Sequence, residues 1–372
     1  MNFKIAKKSF LDSLTLVSRA VSANTPLPSL GGIKISVDTD GLTLVASDSN
    51  VSIKSVIEAN DNEALVINET GEIVIDAKYL LEIVRKIDSN YVNFETIDGL
   101  LVKFSGDKSE FKINGMNAAD FPVINFDITD NEPFTINAST FIEIVDQTAF
   151  ACSDKDTRPV LTGVNLKVEN GVLHANATDS YRLAYKKVNV DSNLNLNITV
   201  PAKYLNEICH SIGNNSEIKI AIDNQKISFV IGNGIIQTRL LDDVFPDTSR
   251  LIPQSFAQKM IIPSKDILNA IDRTSFIKSD GKNTVRLNID SSSIEITSSN
   301  QIGSSFEKIP VTSYEGNPLE ISCSGKYLQD AIRALSCDTV EFDFSGELKP
   351  MILKSNKDDS LIQLISPVRT YR

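Results

Sequence analysis

Tryptophan is absent from this chain of 372 residues, and histidine occurs only as His174 and His210. Four cysteines, Cys152, Cys209, Cys323 and Cys337, stand far apart with no CxxC spacing. A zinc site needs about four such ligands at set spacings, so none is expected. Cys209 falls on the apolar stripe of a predicted helix and reads as a reduced core thiol. No apolar run approaches the roughly 18 residues of a membrane span. Met1-Asn2-Phe3-Lys4-Ile5 leads straight into an alternating pattern, without an apolar h-region or a cleavage site, so a cytoplasmic location is expected.

Catalytic signatures are missing as well. There is no Gly-rich phosphate loop, no GxSxG elbow and no HExxH helix. Asp154, Asp156 and Asp179 could suggest a metal cluster, but Lys155, Arg158 and Arg182 interleave with them and no second carboxylate motif follows. A non-enzymatic protein with no catalytic residue, no metal and no cofactor is the expectation. An excess of basic charge is also lacking: 37 Lys and Arg face 48 Asp and Glu, a net charge of −11. Taken alone, that balance argues against binding to nucleic acid, because phosphate contacts need cations.

What the chain does contain is itself, three times. Lys-Tyr-Leu occurs at 78–80, 203–205 and 326–328, at offsets of 125 and 123. Each copy follows a β-like run, at 72–75, 197–200 and 319–322, and opens a helix-period segment. Phe121-Pro122, Phe245-Pro246 and Ser366-Pro367 lie near the repeat ends, with prolines 124 and 121 apart. Phe3-Lys4-Ile5, Phe134-Thr135-Ile136 and Met260-Ile261-Ile262 open the repeats, each leading into a helix. Such a period is too long for a solenoid unit and marks repeated domains, at 1–127, 128–253 and 254–372.

Each repeat also looks double, reading strand, helix, strands and then the same again. Phe10, Leu14, Val17 and Val21 share one helix face, as do Leu205, Ile208, Cys209 and Ile212. Asp40-Gly41 and Asn170-Gly171 suit hairpin turns, and residues 289–294 take the corresponding place in the third repeat with weaker turn residues. The predicted fold class is α+β, with helices packed on mainly antiparallel sheets.

Charge is unevenly shared. The six predicted helices, at 7–20, 77–87, 140–150, 202–212, 264–274 and 325–335, carry a net +3, which leaves −14 on the rest of the −11 chain. If all helices face one way, that face is neutral to basic and the opposite one acidic. Such a surface meets phosphates weakly while the outside repels them.

The segments Thr157-Arg158-Pro159-Val160-Leu161-Thr162-Gly163-Val164 and Ala177-Thr178-Asp179-Ser180-Tyr181-Arg182-Leu183-Ala184 resemble those of the bacterial DNA polymerase III beta subunit family, the sliding clamps. The ending Leu364-Ile365-Ser366-Pro367-Val368-Arg369 is similar too, and the resemblance covers the whole chain. It implies a head-to-tail homodimer whose six domains form a ring around duplex DNA, with helices inside and sheets outside. It implies a pocket between the second and third domains for a short motif of replicative polymerase, clamp loader and repair proteins. The residues that match that pocket are Arg158, Leu161, Thr178, Leu183, Pro246, Arg250, Leu251, Leu364, Pro367, Val368 and Arg369. For the dimer, Ile83, Phe111 and Ile113 should meet Phe276 and Ile277; for DNA, Lys155, Lys203, Lys278 and Lys282 lead, with Arg85 and Lys86 after them.

The chain departs from the family pattern in places. Ser366 stands where the family often has Met or another apolar residue, Ser180 replaces a common Gly, and Asn24 stands where some members place a DNA-contacting Arg. Residues 300–307 are less acidic than in well-known members. The acidic total keeps a second reading open, a non-enzymatic repeat-domain scaffold that binds proteins without encircling DNA.

Overall fold

The structure is a computed structural model that describes all residues except 23, 24, 26, 60–63, 129–132, 192–193, 224, 278–282, 356 and 370–372. The first repeat runs β1 (Asn2–Ala6), α1 (Lys7–Val17), β2 (Gly32–Val37), β3 (Gly41–Ser47) and β4 (Val51–Glu58), then β5 (Leu65–Glu69), β6 (Gly71–Asp76), α2 (Ala77–Lys86), β7 (Tyr91–Asp98), β8 (Leu101–Ser105) and β9 (Glu110–Asn114). The middle repeat runs β10 (Phe134–Asn137), α3 (Ala138–Thr148), β11 (Gly163–Glu169), β12 (Val172–Thr178) and β13 (Arg182–Asn189), then β14 (Leu196–Pro201), α4 (Ala202–Ser211), β15 (Glu217–Ile222), β16 (Lys226–Ile231) and β17 (Gly234–Arg239). The third runs β18 (Gln258–Pro263), α5 (Ser264–Thr274), β19 (Thr284–Ile289), β20 (Ser293–Ser299) and β21 (Ser304–Pro310), then β22 (Ser313–Glu315), β23 (Leu319–Ser324), α6 (Gly325–Leu335), β24 (Thr339–Phe344), β25 (Met351–Ser355) and β26 (Asp358–Ile365).

Strand, helix and three strands thus recur six times, with β5 and β22 as additions. The Lys-Tyr-Leu word marks the first turn of the second helix in each repeat. A small residue, Ala77, Ala202 or Gly325, precedes the word and is buried, and the leucine that closes it, Leu80, Leu205 or Leu328, enters the core. The lysine stays exposed each time. Asp76 and Ser324 cap two of these helices by accepting the N–H of Tyr79 and Tyr327. The expected stripe on α1 holds for Phe10, Leu14 and Val17; the helix then tightens into a 3-10 turn at Ser18–Ala20, and Val21 lies beyond it.

The opening strand of each half-repeat crosses to the sheet of the other half. So β1 pairs with β7 and β6 with β2; β10 pairs with β15 and β14 with β11; β18 pairs with β24 and β23 with β19. Every pairing is antiparallel, in four sheets ordered β5-β1-β7-β8-β9, β10-β15-β16-β17-β4-β3-β2-β6, β14-β11-β12-β13-β26-β25-β24-β18-β22 and β21-β20-β19-β23.

The two long sheets divide the middle repeat. One compact unit holds Met1–Ala138 with Glu207–Leu240, and the other holds Ser139–Asn206 with Leu241–Arg372. In the first unit the core is built on a chain of rings, with Phe3 stacked on Phe94 at 4.6 Å and Phe94 edge-on to Phe104 at 5.0 Å. In the second, Ile267, Ile271, Leu328 and Ile332 from α5 and α6 pack on Leu287, Ile296, Phe342 and Phe344.

Two turns differ from expectation. At Asp40-Gly41 the turn is closed by Asp38, whose Oδ1 accepts both N–H groups at 2.8 and 3.0 Å. The third-repeat counterpart, read as weak, has the same device: Asp290 Oδ1 accepts from the N–H of Ser292 at 2.7 Å and of Ser293 at 2.9 Å. Those bonds hold its carboxyl down at a pKa of about 2. Asn170-Gly171 is the hairpin expected, with φ of 53° and 74°.

Candidate functional site

The two most specific sequence segments meet the chain's end in the second unit. At the end of β12, Thr178 is buried, and its Oγ1 donates to the carbonyl of Arg182 at 2.5 Å. Between them, Asp179 Oδ1 accepts the N–H groups of Tyr181 and Arg182, and Ser180 takes φ of 78°. A left-handed residue is what glycine supplies freely, in line with the Gly that the family resemblance implies there.

This turn sends Arg182 and Leu183 to opposite faces of β13. Arg182 donates through Nε to Asp179 Oδ2 at 3.1 Å, through Nη1 to Asp330 Oδ2 at 2.8 Å and through Nη2 to the Phe150 carbonyl at 2.5 Å. Its guanidinium also lies 4.3 Å from the Tyr327 ring centroid. Burial, with the Asp179 carboxylate beside it, pushes the Tyr327 hydroxyl up to about 12. Burial likewise raises the Cys152 thiol to about 12, so it stays protonated and unreactive.

Leu183 lies opposite Leu364 of β26 and closes an apolar cluster with Leu364 and Ile352, against which Ile252 and Ile362 pack. The peptide N–H of Ser366 donates to the Tyr181 carbonyl at 2.8 Å, and that of Val368 to the Ser322 carbonyl at 2.7 Å. The first bond holds the segment after β26 against the turn, and the second ties it to β23. Leu161 is buried in a 3-10 turn at Pro159–Thr162 that Arg158 precedes. Pro246 is half-buried, and Arg158, Arg250, Leu251, Val368 and Arg369 are exposed. The predicted set therefore sorts into buried members (Leu161, Thr178, Leu183 and Leu364), half-buried prolines (Pro246 and Pro367) and exposed residues. Ile252, Ile352, Ile362 and the exposed Tyr181 escaped the sequence reading. Ile362 could have been found from its place two residues before Leu364; Ile352 could not, because only strand pairing brings it opposite Leu364.

Of the residues expected to face DNA, Lys155 is exposed after the turn at Ser153, and Lys203 is exposed on the first turn of α4. Arg85 and Lys86 end α2 and share Glu82, at 3.3 and 3.4 Å. Lys278, Lys282 and Asn24 lie outside the described residues. Of those expected at a subunit contact, Phe111 and Ile113 are half-buried on β9, an edge strand, and Ile83 is half-buried on α2. Phe276 is 75% exposed, whereas Ile277 beside it is buried. Among the described residues no group of acidic, His or Cys side chains has the arrangement of a metal site, and no helix is long and apolar enough to cross a membrane.

Family models for the N-terminal, central and C-terminal domains of the DNA polymerase III beta subunit match residues 1–125, 135–247 and 249–369. The beta sliding clamp of Bacillus subtilis (strain 168) is 37% identical over 379 residues, spanning 100% of both chains. That of Staphylococcus aureus (strain N315) is 34% identical over 377 residues, again spanning 100% of both. The solved structure of the Bacillus subtilis DNA polymerase sliding clamp superposes with a TM-score of 0.95 at 37% identity, over 100% of each chain. That of the beta chain from Streptococcus pneumoniae TIGR4 does so with a TM-score of 0.95 at 29% identity, over 99% of this chain and 100% of the other. With three clamp domains matched in order and full-length likeness in sequence and fold, the chain belongs to the DNA polymerase III beta subunit family, the bacterial beta sliding clamps.

Proposed function

We propose that this chain is a processivity clamp that encircles duplex DNA as a head-to-tail homodimer of three-domain protomers (1–127, 128–253 and 254–372) and tethers replication and repair proteins. One observation carries the closure. Each half-repeat ends on an outer strand, and these strands join repeats: β4 pairs with β17, and β13 with β26. In both cases the last strand of a first half meets the last strand of a neighbour's second half. By that rule β21 calls for β9, and each of these is a free edge in its own sheet. Pairing β21 of one copy with β9 of another caps two exposed edges at each of two contacts and closes the ring. Phe111 and Ile113 on β9, with Ile83 on α2, would meet the exposed Phe276 of the second copy, with the buried Ile277 beside it.

Binding by topology needs only weak contacts to phosphates, which suits a chain with a net charge of −11 whose helices carry a net +3. Lys155, Lys203, Lys278 and Lys282, with Arg85 and Lys86, are the proposed contacts. The cluster of Leu183, Leu364 and Ile352 is the proposed floor of the partner groove, accepting apolar Leu and Phe anchors. Arg158, Arg250, Leu251, Pro246, Pro367, Val368 and Arg369 form its rim. The setting is the cytoplasm, with no cofactor.

The deciding experiment loads the protein onto nicked circular DNA and then linearises it. Release on linearisation, with retention on the intact circle, is expected. Equal retention on both forms would reject encirclement and leave the scaffold reading. Light scattering should also show a particle near twice 40.8 kDa.

A further inference from the structure

The turn that builds the partner groove occurs a second time, at the junction of the first and middle repeats. Ser49 and Ser180 both adopt φ of 78°. Ser47 Oγ donates to the Val51 carbonyl as Thr178 Oγ1 does to that of Arg182. Each of these hydroxyls accepts the N–H of the strained serine at 3.1 Å. Asp48 and Asp179 each hold the next two N–H groups through Oδ1. The strand that follows then pairs in the same register, Ser52 opposite Gln237 as Leu183 is opposite Leu364. The two places are therefore equivalent in backbone, while the side chains differ: the leucine pair has become Ser and Gln, Val51 stands in the place of Arg182, and Arg239 in that of Ser366.

A cavity of about 620 Å³ opens at this second place, lined by Ser49, Val123, Lys226, Gln237 and Arg239 among others. Gln237 is only 8% exposed, and its Nε2 donates to the Asn125 carbonyl at 3.0 Å. Since that carbonyl can only accept, the orientation of the carboxamide is fixed. Its Oε1 is then a buried acceptor with no partner among the described residues. Such an atom is costly unless a donor reaches it. Lys226 Nζ donates to Asn125 O at 2.8 Å and stands 3.8 Å from Asp223 Oδ2, while Arg239 is exposed and makes no ion pair among the described residues. Val123 is fully exposed beside them. An orphan acceptor, a spare cation and an apolar side chain converge in one cavity of an acidic protein.

We propose that this cavity is a second peptide-binding site, selective for an extended acidic peptide. It would place a carboxamide donor against Gln237 Oε1, once the side chain turns that solvent-closed oxygen into the cavity, where the leucine-lined groove takes an apolar anchor. An Asp or Glu would pair with Arg239, and an aliphatic side chain would cover Val123. The site leans on the repeat equivalence and not on the partner groove being used, so each can fail alone.

The test is fluorescence anisotropy on the full-length protein with labelled Ser-Asn-Gln-Asp-Asp-Leu-Ser, and with the same peptide carrying Lys for both Asp. The acidic peptide should bind saturably and the Lys form should not. Arg239→Glu, at an exposed position that leaves folding intact, should weaken binding about tenfold or more, as removal of a charge pair does. Gln237→Leu should weaken it while thermal unfolding confirms the fold. An unlabelled Leu- and Phe-anchored peptide should not compete; labelled in turn, it reports the other groove separately. No saturable binding up to millimolar peptide, equal affinity in both variants, equal binding of the Lys form, or full displacement by the apolar peptide would each overturn the proposal.

Discussion

Arg182 and Asp330 form an ion pair at 2.8 Å, with their side chains 9% and 23% exposed, that joins a strand of the middle repeat to the last helix of the third. Arg182 also meets Asp179, the Phe150 carbonyl and the ring of Tyr327, so every face of the guanidinium is used. The residue next to it in sequence, Leu183, floors the candidate groove. A rigid Arg182 therefore fixes where Leu183 stands.

Arg182→Ala should lower unfolding stability by about 3–5 kcal/mol, because it strands Asp179 and Asp330. Arg182→Lys should recover little of this, since an ammonium cannot span the fork to two carboxylates and stack on Tyr327 as well. Urea unfolding of the two variants checks this; full recovery in the Lys form would show that charge alone matters.

Ser366→Met should tighten binding of an apolar-anchored clamp-motif peptide. The backbone N–H of Ser366 makes the bond to Tyr181, so the side chain is free to change. Adding several apolar carbons at a half-buried position beside the cluster should gain about 1 kcal/mol, or severalfold in Kd. Isothermal titration measures it, and an unchanged or weaker Kd would place Ser366 away from the peptide. Leu183→Glu in the same assay should abolish binding while leaving the dimer intact.

Phe276→Asp should weaken the dimer at least tenfold without loss of protomer stability, because the side chain is already 75% exposed within its own chain. Sedimentation velocity over a dilution series, paired with thermal unfolding, separates the two effects. A dimer of unaltered strength would remove Phe276 from the contact.

Asp290→Ala should destabilise the third repeat in a pH-dependent way. The folded carboxyl titrates near 2, below its ordinary value of about 3.9, because it accepts from Ser292 and Ser293. A depressed carboxyl contributes stability that is fully present above the unfolded value and lost as pH falls through the folded one. The gap between wild type and Asp290→Ala should therefore be full at pH 7 and close between about 4 and 2. Denaturant unfolding at several pH values reads it; a gap independent of pH would mean that the side chain acts by packing alone.

The primary sequence alone determined the threefold period, the six helices to within a few residues at their ends, and the segments that meet at the candidate groove. Apolar spacing and the Lys-Tyr-Leu word are local properties, and local properties survive in one dimension. It also carried the exposed Lys203 and the turn at Asn170-Gly171, which depend on single residues. Other relationships depended on chain neighbours far apart in sequence. Strand exchange between half-repeats, the pairing of Leu183 with Leu364 and of Ser52 with Gln237, and the place of Ile352 are set by sheet register, which no window of sequence contains. Asp38 closes the turn that Asp40-Gly41 seemed to own because a carboxylate two residues back can reach the same N–H groups. Arg182 reads in sequence as one more cation among carboxylates, and it became a buried keystone only because Asp330 lies 148 residues away on α6 and returns to meet it.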